Sequence, residues 1–337
     1  MTTGRQVTIK DIARAAGVSP ALVSFVMSNA VAKKPVYRVS PETSKRILEV
    51  AARLQYKPNT SARALRSGKT GTVGVVVSDI ANPFFAEIAR YLEDQAYKYD
   101  YNVIFGSSDE NPEKFRRVVS VLLNKGVDGL ILVPCAGSEE TIREVVASGI
   151  NTVLIDRLVP GLEVNSVVLD NRTAARIIVE KLLSRSVKRI DMVSYSMDIS
   201  NTRDREQGYI DAMEAAGLGD NLHIERIPHN DYKTIPDYFR DARSRGVEAF
   251  MMATNTLSSL VLSEILKNGF RVPGDFQVAR FDRNSIYDFN GHGIIYVRQP
   301  VNVFADKAME LLMAAIRRNP RETPTVEQIV LSPEITE

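Results

Sequence analysis

Cysteine, histidine and tryptophan are scarce in this sequence of 337 residues, which contains one cysteine, three histidines and no tryptophan. The single cysteine, Cys135, excludes an internal disulfide bond. Three histidines and one cysteine, widely spaced, provide neither a metal-ligand cluster nor a Cys–His nucleophile pair. We therefore expect no bound metal, and we interpret Cys135 as a small buried residue at the end of a strand.

Long apolar runs and nucleotide-binding motifs are also missing. No run of about 18 apolar residues is present, which argues against a transmembrane helix. The first residues lack the apolar segment of a secretory signal, so we expect a cytoplasmic protein. Neither a Walker-type phosphate loop nor a G-x-G-x-x-G motif occurs, and no carboxylate spacing indicates a glycosidase pair. We therefore expect no cofactor and no enzymatic activity.

The charges are divided unevenly between the start of the chain and the rest. Residues 1–70 contain 13 lysines and arginines but only three acidic residues, Asp11, Glu42 and Glu49. The remaining residues contain 30 basic and 38 acidic side chains, so a segment of net charge +10 precedes one of net charge −8. A basic segment joined to an acidic body is typical of a nucleic-acid-binding domain attached to a domain with another role.

Residues 1–58 have the pattern of a helix-turn-helix DNA-binding domain. Thr8 begins a capping-box pattern, and apolar residues then recur at helical spacing up to Gly17, which favours a turn. Ser19 is the expected N-cap of a second helix, and Ser40 that of a third. Two short helices joined by a glycine-containing turn, with a third helix closing the core, leave the second helix able to enter a major groove.

The second helix, PALVSFVMSN, is apolar almost all the way round. Val23, Val26 and Met27 are expected on the side that faces the other helices. Leu22 and Phe25 fall on or near the opposite side, where they can contact thymine methyl groups in a major groove. Alternatively, Leu22 and Phe25 pack against the long loop that follows. Since this face offers no Arg, Asn or Gln for a bidentate base contact, we expect the affinity for DNA to depend largely on phosphates.

Residues 59–70, NTSARALRSGKT, form a short link to the rest of the chain. Asn59 follows Pro58 and is a candidate N-cap, and the good helix formers that follow end at Gly68. A helix of about eight residues is marginal in water, so we expect the link to fold only when it meets DNA and a partner chain. From the residues alone, Leu65 is a packing residue at a domain junction.

From Thr72 onward, short apolar strands alternate with helices, a pattern that favours parallel sheets covered by helices on both faces. The units are too numerous for one sheet. We predict an α/β body of two doubly wound parallel-sheet lobes, a hinged clamp of the periplasmic-binding-protein type, behind an all-α helix-turn-helix head. The predicted domains are residues 1–58 (head), 59–70 (hinge) and 71–337 (effector binding and dimerisation), with a first lobe at about 71–170 plus 301–328 and a second at about 171–300 plus 329–337.

Polar residues stand directly after the predicted strands, for example Ser78, Asp156 and Asp282. In open α/β sheets, ligands bind outside the carboxyl ends of the strands. Carboxylates and arginines at those ends suit a ligand with many hydroxyl groups, and Phe84 with Phe85 can cover the apolar face of a sugar. For a single Asp or Arg, a salt bridge at the surface or between the lobes is the alternative.

Segments from the whole length of the chain share one resemblance. They are VTIKDIARAAGVSPALVSFVMSN in the head, VGVVVSDIANPFFAEIARYLED and VDGLILVP in the body, and RQP at residues 298–300. Together they resemble the lactose/galactose-repressor family of bacterial transcription regulators. Phe25 stands where that family often has arginine, and with the long YRVS loop it is similar to the fructose and sucrose regulators.

The resemblance implies a homodimer that binds operator DNA under the control of a small carbohydrate. It also implies that Leu65 wedges into the minor groove and kinks the duplex. With the pattern of the head, the candidate DNA contacts are Thr8, Lys10, Ser19, Pro20, Ala21, Leu22, Ser24, Phe25, Asn59, Ala62 and Leu65.

By the same resemblance, Arg205 in NTRDREQGY and Asp282 in RFDR are the strongest expected effector contacts. The candidate effector-binding residues are Ser78, Phe84, Phe85, Asp156, Arg205, Asn255, Asp282 and Gln299. Arg280 and Arg283 flank Phe281 and Asp282 and add positive charge, so a sugar phosphate is an alternative to a neutral sugar.

We therefore expect a ligand-controlled transcription regulator that acts as a repressor. Its expected partners are double-stranded operator DNA, a sugar or sugar phosphate and a second copy of the chain, with no membrane. A sugar-binding protein without a regulatory role would share the two lobes but would need no basic head. A constitutive DNA-binding protein would leave the cleft without a role, and a carbohydrate enzyme would need a poised acid–base pair.

The basic head predicts a strong dependence of DNA affinity on salt. If the head makes about six to ten phosphate contacts, the logarithm of the association constant should fall with the logarithm of salt concentration with a slope of about −5 to −9. Titration of duplex DNA with the full chain at several salt concentrations measures this slope. A flat response would contradict the assignment of the head.

Overall fold

The structure is a computed structural model, and it divides into two compact units, Met1–Gly68 and Lys69–Glu337. The residues that it describes are 7–31, 39–56, 68–282, 293–319, 321–323 and 325–336. The hinge candidates Asn59, Ala62 and Leu65 lie outside these ranges, so the expectations for them stay predictions.

The described part of the first unit contains three helices, as the sequence predicts. They are α1 (Ile9–Ala16), α2 (Pro20–Val31) and α3 (Pro41–Arg53). Thr8 and Asp11 form a capping box at the start of α1, and Gly17 ends that helix in the left-handed conformation with φ of 65°. Ser40 caps α3 by accepting the backbone N–H of Thr43 at 3.2 Å. Both ends of α1 and the start of α3 therefore follow from residues within one turn of them.

Helix α2 shares its apolar residues between the core and the surface, but not wholly as predicted. Val23 and Val26 are buried against α1 and α3, and Met27 is half-buried against the same core. Leu22 was expected on the opposite face, and this is wrong, since it is half-buried and packs against that core. Phe25 is 40% exposed. The apolar surface of α2 is therefore narrower than its sequence indicates.

The second unit contains two six-stranded sheets, as predicted for a doubly wound body. Its strands are β1 (Thr72–Val77), β2 (Asn102–Ser107), β3 (Gly129–Leu132), β4 (Asn151–Ile155), β5 (Asn165–Leu169), β6 (Ile190–Tyr195), β7 (His223–Ile227), β8 (Ala249–Met252), β9 (Gln277–Phe281), β10 (Ile295–Arg298), β11 (Gln328–Leu331) and β12 (Glu334–Thr336). Its described helices are α4 (Pro83–Lys98), α5 (Pro112–Asn124), α6 (Glu139–Ala147), α7 (Asn171–Ser184), α8 (Ser200–Ala215), α9 (Ile235–Ser244), α10 (Asn255–Lys267) and α11 (Val301–Arg317).

The two sheets have the same plan. The first has the strand order β11-β5-β4-β3-β1-β2 and the second β12-β10-β9-β8-β6-β7, so β4 corresponds to β9 and β5 to β10. All neighbouring strands are parallel except β12, which runs antiparallel to β10. Parallel strands bring their carboxyl ends to one edge of each sheet, and that edge is where a ligand site is expected.

The chain passes between the lobes after β5, after β10 and after β11. Helix α11 returns to the first lobe and packs against α4. Strand β11 then pairs with β5 of the first sheet, with Leu331 opposite Leu169. The chain therefore enters the second sheet after Leu331, whereas the boundary predicted from the sequence falls at residue 328.

The carboxylate of Asp128 binds the first residues of the body, Thr70 and Gly71, to the first sheet. Asp128 Oδ1 accepts the N–H of Thr70 at 2.7 Å, and its Oδ2 accepts the N–H of Gly71 at 2.9 Å. The Thr70 hydroxyl also donates to the carbonyl oxygen of Gly126 at 2.9 Å. Asp128 directly precedes β3, so these bonds hold the residues ahead of β1 at the amino ends of the strands.

The longest described helix, α11, has 17 residues. Within the ranges that the structure describes, no helix combines the length and the apolarity needed to cross a bilayer.

Helices α7 and α8 pack closely because Gly208 has no side chain. A Cβ atom built at Gly208 would lie 2.2 Å from the carbonyl oxygen of Arg172 and 2.8 Å from the Cβ of Ala175. The substitution Gly208→Ala should therefore push the helices apart and lower the free energy of unfolding by about 1–3 kcal/mol. Urea unfolding followed by far-UV circular dichroism measures the change.

A matched control is Gly219→Ala in the same lobe, where the nearest atom to an added Cβ is Glu214 Cγ at 3.9 Å. This control should stay within about 0.5 kcal/mol of the unaltered protein. Equal effects of the two substitutions would show that the close approach at Gly208 does not limit stability.

Candidate functional site

A cavity of about 710 Å³, part of it open to solvent, lies between the two lobes of the second unit. The carboxyl ends of strands from both sheets contribute its polar lining. Seven of the eight candidate effector residues line it, namely Ser78, Phe84, Phe85, Asp156, Arg205, Asp282 and Gln299. The eighth, Asn255, is buried in the first turn of α10 and lines an adjoining cavity that shares Phe84, Asp282 and Gln299.

Arg205 is buried on the first half of α8, with 4% of its surface exposed. Its Nε donates to Asn171 Oδ1 at 2.7 Å, and its Nη1 donates to the carbonyl oxygen of Ala253 at 2.5 Å. The guanidinium carbon lies 3.8 Å from the centre of the Phe281 ring. Three contacts thus fix the plane of the guanidinium, which lines the cavity.

Two aspartates occupy corresponding positions in the two sheets. Asp156 follows β4 and Asp282 follows β9, and both have φ of 66° in the left-handed region. The backbone N–H of Asp156 donates to Val167 O at 3.0 Å, and that of Asp282 donates to Val297 O at 2.9 Å. The left-handed conformation is uncommon for residues other than glycine, although aspartate tolerates it better than most. Equivalent backbone bonds hold both aspartates there.

The charges of Arg205 and Asp282 influence each other across the cavity wall. Burial lowers the pKa of Arg205, while Asp156 and Asp282 act in the opposite direction. Burial raises the pKa of Asp282, although the cavity leaves this residue some contact with solvent. The charge of Arg205 and a hydrogen bond from Gln299 partly offset this rise. Gln299 Nε2 donates that bond to Asp282 Oδ1 at 2.7 Å.

Three buried oxygen atoms in the cavity lining have no hydrogen-bond partner among the described residues. They are Asp156 Oδ1, Asn201 Oδ1 and Gln299 Oε1. The other polar atoms of the Asp156 and Asn201 side chains are hydrogen-bonded to each other, since Asn201 Nδ2 donates to Asp156 Oδ2 at 3.0 Å. A buried acceptor without a donor is costly, so this lining favours a ligand that brings several hydroxyl donors.

An aromatic corner completes the cavity on the first lobe. Asn82 caps α4 by accepting the N–H of Phe84 at 3.1 Å, and Pro83 occupies the first turn. This start places Phe84 and Phe85 edge to face, with ring centres 4.9 Å apart. Phe84 also meets Phe304 edge to face at 6.3 Å. The apolar corner can cover a hydrophobic face of a ligand.

The sequence analysis did not select several residues that line the cavity. Tyr195 and Tyr232 have hydroxyl oxygens 3.4 Å apart, and the His229 ring lies 5.5 Å from that of Tyr195. Tyr195 ends β6, so the rule of polar residues at strand ends could have found it. Tyr232 and His229 lie on the connection from β7 to α9, where no motif marks them.

A buried ion pair also lines the cavity. Arg157 donates from Nη2 to Glu110 Oε1 at 2.7 Å and from Nη1 to Glu110 Oε2 at 2.8 Å. Burial alone would lower the pKa of Arg157, but the carboxylates of Glu110 and Asp156 outweigh it and raise the pKa. Arg157 directly follows a strand-end aspartate, whereas nothing in the sequence links Glu110 to it, because 47 residues separate the two.

Arg280 does not line the cavity. It is fully buried in β9, with its guanidinium carbon 5.7 Å from the centre of the Tyr296 ring. Arg280 therefore does not contact the cavity, although its positive charge acts on Asp282 in the lining and acts to lower the pKa of that carboxyl. Arg283 lies outside the described residues. Two arginines of the lining face four carboxylates, and these six residues are Arg157, Arg205, Asp79, Glu110, Asp156 and Asp282.

The candidate DNA contacts in the first unit lie near the start of α1 and on α2. The exposed ones are Thr8, Lys10, Ser19, Pro20, Ala21 and Phe25, while Leu22 and Ser24 are half-buried. Ser19 Oγ accepts the N–H of Leu22 at 3.2 Å and so caps α2. The exposed start of α2 presents small apolar groups of the size that fits against thymine methyl groups.

In the part of the chain that the structure describes, no set of three or more His, Cys, Asp or Glu residues is arranged to hold a metal ion.

Comparison with known proteins agrees with this two-part organisation. Residues 8–59 match the family model described as "Bacterial regulatory proteins, lacI family". Residues 70–236 match "Periplasmic binding proteins and sugar binding domain of LacI family", and residues 179–337 match "Periplasmic binding protein-like domain". Catabolite control protein A of Priestia megaterium is 32% identical over 333 residues, which cover 95% of this chain and 96% of that relative. The chain belongs to the lacI family.

Other relatives of this lacI-family regulator have the same extent. The HTH-type transcriptional regulator KdgR of Bacillus subtilis is 30% identical and covers 97% of this chain and 96% of its own. The crystal structure of the transcription regulator CcpA of Lactococcus lactis is 26% identical, covers 79% of this chain and 97% of its own, and has a TM-score of 0.70. The resemblance found in the sequence is confirmed, and these relatives are transcription regulators rather than enzymes.

The lac repressor shares the fold. The structure of its dimer, bound to operator and the anti-inducer ONPF, matches with a TM-score of 0.82 at 19% identity and covers 99% of this chain and 98% of its own. The predicted fold class is confirmed. This lacI-family protein is a transcription regulator that joins a helix-turn-helix DNA-binding domain to a body of the sugar-binding type.

The raised pKa of Asp282 predicts that this carboxylate costs stability. The substitution Asp282→Asn should raise the free energy of unfolding at neutral pH, because it removes a charge that the folded protein disfavours. Asparagine also tolerates the left-handed conformation and can still accept the bond from Gln299. The gain should be complete above the raised pKa and vanish below the ordinary value of 3.8, where the carboxyl is protonated in both states. Chemical unfolding at several pH values measures it.

A control of opposite sign is Asp275→Asn. The Asp275 carboxylate accepts the N–H of Arg271 at 2.7 Å, which lowers its pKa. Removal of this charge should reduce the free energy of unfolding at neutral pH. This reduction should disappear as the pH falls through the lowered pKa of Asp275. If Asp282→Asn is less stable than the unaltered protein at neutral pH, the description of the Asp282 carboxylate is wrong.

Proposed function

We propose that this protein is a homodimeric repressor whose operator affinity is controlled by a small neutral sugar held between the two lobes. The observation that carries the proposal is the set of buried acceptors without donors, Asp156 Oδ1, Asn201 Oδ1 and Gln299 Oε1. Sugar hydroxyls supply such donors. The guanidinium of Arg205 supplies donors in return, and the rings of Phe84 and Phe85 suit the apolar face of a sugar.

The balance of charge favours a neutral sugar over a sugar phosphate. The cavity lining contains four carboxylates and two guanidinium groups. Arg157 already donates twice to Glu110, and Arg205 donates to Asn171 and Ala253. A phosphate would bring two negative charges to a lining that is already negative, at a low local dielectric where repulsion is strong.

Two features support a role for the ligand in DNA binding. Ser78 lines the cavity and directly follows β1, whose six residues span about 20 Å. Residues 69–71, at the other end of β1, lead back to the head, and Asp128 holds Thr70 and Gly71 among them. A shift of the first lobe on ligand binding therefore reaches the link through one strand. The ligand can change operator affinity only by its different affinity for the two states.

The role as a dimeric repressor rests on the head and on the family. A helix-turn-helix head in a dimer reads two half-sites of a palindromic operator. The lac repressor structure shows that this fold can act as an operator-bound dimer. We expect each subunit to supply one α2 helix to a major groove and one hinge segment to the minor groove at the centre.

A panel of neutral sugars, each with its 6-phosphate counterpart, tests the proposal. A neutral sugar at about 100 times its Kd should stabilise the full chain by about 2.7 kcal/mol in thermal unfolding, and its phosphate should not. Operator fragments selected from random duplex DNA then report whether the same sugar weakens DNA binding. The control Glu214→Gln, on the half of α8 beyond Arg205 and outside the cavity lining, should respond like the unaltered protein.

Three results would contradict parts of the proposal. Stabilisation by no sugar, together with tight DNA binding, would indicate a constitutive DNA-binding protein. A sugar that binds without any effect on DNA affinity would indicate a binding protein without a regulatory role. A sugar that tightens operator binding would make the ligand a corepressor instead of an inducer.

A further inference from the structure

The Glu110–Arg157 pair is almost completely buried, as is the Asp156–Arg157 pair beside it. The Glu110 and Arg157 side chains are 6% and 7% exposed, and their shortest N–O distance is 2.7 Å. Both residues line the cavity. A buried pair of this kind adds little net stability compared with apolar residues, so its presence beside a ligand cavity calls for another explanation.

The two terminal nitrogens of Arg157 are hydrogen-bonded within the protein, whereas its Nε has no hydrogen-bond partner among the described residues. Its Nη1 and Nη2 donate to the two carboxylate oxygens of Glu110, and Nη1 also donates to the carbonyl oxygen of Pro134 at 2.9 Å. Its Nε lies 3.3 Å from Asp156 Oδ2. A ligand phosphate or carboxylate that enters the cavity therefore finds this guanidinium already occupied by a carboxylate of the protein.

An unusual backbone holds Glu110 in this place. Asp109 and Glu110 both have positive φ, at 51° and 55°. The N–H of Asp109 donates to Ser78 O at 2.6 Å, and the Ser107 hydroxyl donates to Asp109 Oδ1 at 2.7 Å. Lys114 forms a close ion pair with Asp109. Two consecutive left-handed residues are unfavourable, and these contacts offset their cost at the edge of the cavity.

We propose that Glu110 is a specificity-determining residue that excludes anionic sugars by occupying Arg157. Without Glu110, Arg157 would present two parallel N–H donors to the cavity, the geometry that binds phosphate and carboxylate in pairs. With Glu110, that site is filled, and its negative charge repels a second anion. The inference rests on the proposed sugar site and specifies the class of sugar that the site accepts.

The test uses inorganic phosphate as the probe, measured by isothermal titration calorimetry against the full chain in buffers matched for ionic strength with chloride. The substitution Glu110→Gln keeps the shape of the side chain and removes its charge. It should bind phosphate at least about tenfold more tightly than the unaltered protein, since a hydrogen-bonded charge pair becomes available. The matched control is Glu113→Gln, three residues further on, where the glutamate is 75% exposed and pairs with Arg116. It should bind phosphate no more tightly than the unaltered protein.

A second variant assigns the gain to Arg157. The double substitution Glu110→Gln/Arg157→Gln also removes the guanidinium of Arg157. Its phosphate affinity should therefore fall back to that of the unaltered protein. If Glu110→Gln does not fold, the unaltered protein still tests the inference, because tight phosphate binding with Glu110 in place would contradict it.

Two outcomes would overturn the inference. One is tight phosphate binding by the unaltered protein. The other is a Glu110→Gln variant with an unchanged circular dichroism spectrum and no gain in phosphate affinity. These outcomes are independent of the sugar panel, since phosphate itself is the probe. Failure of every sugar to bind would contradict the proposed function and leave the phosphate comparison to decide the role of Glu110.

Discussion

The burial of the Arg205 guanidinium between the lobes is the constraint on which the cavity depends. A charge removed from water needs nearby counter-charges and fixed hydrogen-bond partners. Here the counter-charges are Asp156 and Asp282, which come from corresponding strand ends of two different sheets. The partners of Arg205 come from the second lobe, including the Phe281 ring below the guanidinium. Asp282 compensates this charge from within the second lobe, and Asp156 adds a second negative charge from the first lobe.

The other polar groups of the cavity lining are of two kinds, those that are bonded to other protein groups and those without a hydrogen-bond partner. The Nη1 and Nη2 atoms of Arg157 are paired with Glu110, whereas acceptors on Asp156, Asn201 and Gln299 have no donor among the described residues. Because Arg157 is already paired with Glu110 and several acceptors have no donor, this lining suits a ligand that donates hydrogen bonds and carries no charge. Polar specificity and electrostatic selection then come from different residues of one surface.

The same lobe connects the cavity with the segment that leads to the DNA-binding head. Strand β1 begins beside the residues that Asp128 holds and ends directly before Ser78, which lines the cavity. The small core of the head, built around Ile12, Val23 and Ile47, is a separate unit.

Local patterns in the sequence determined much of this protein. Thr8, Gly17 and Ser40 set helix boundaries because caps act within one turn, and strand-end residues such as Asp156 and Asp282 follow from the alternation of strands and helices. Only the tertiary structure decided which groups meet across long distances in the chain. Leu22 packs against the core, Arg280 is buried outside the cavity lining, and Glu110, on another loop, binds Arg157. Residue spacing fixes the direction of a side chain relative to its own element, whereas pairing depends on how the sheets and loops are placed, and that is set by packing of the whole chain.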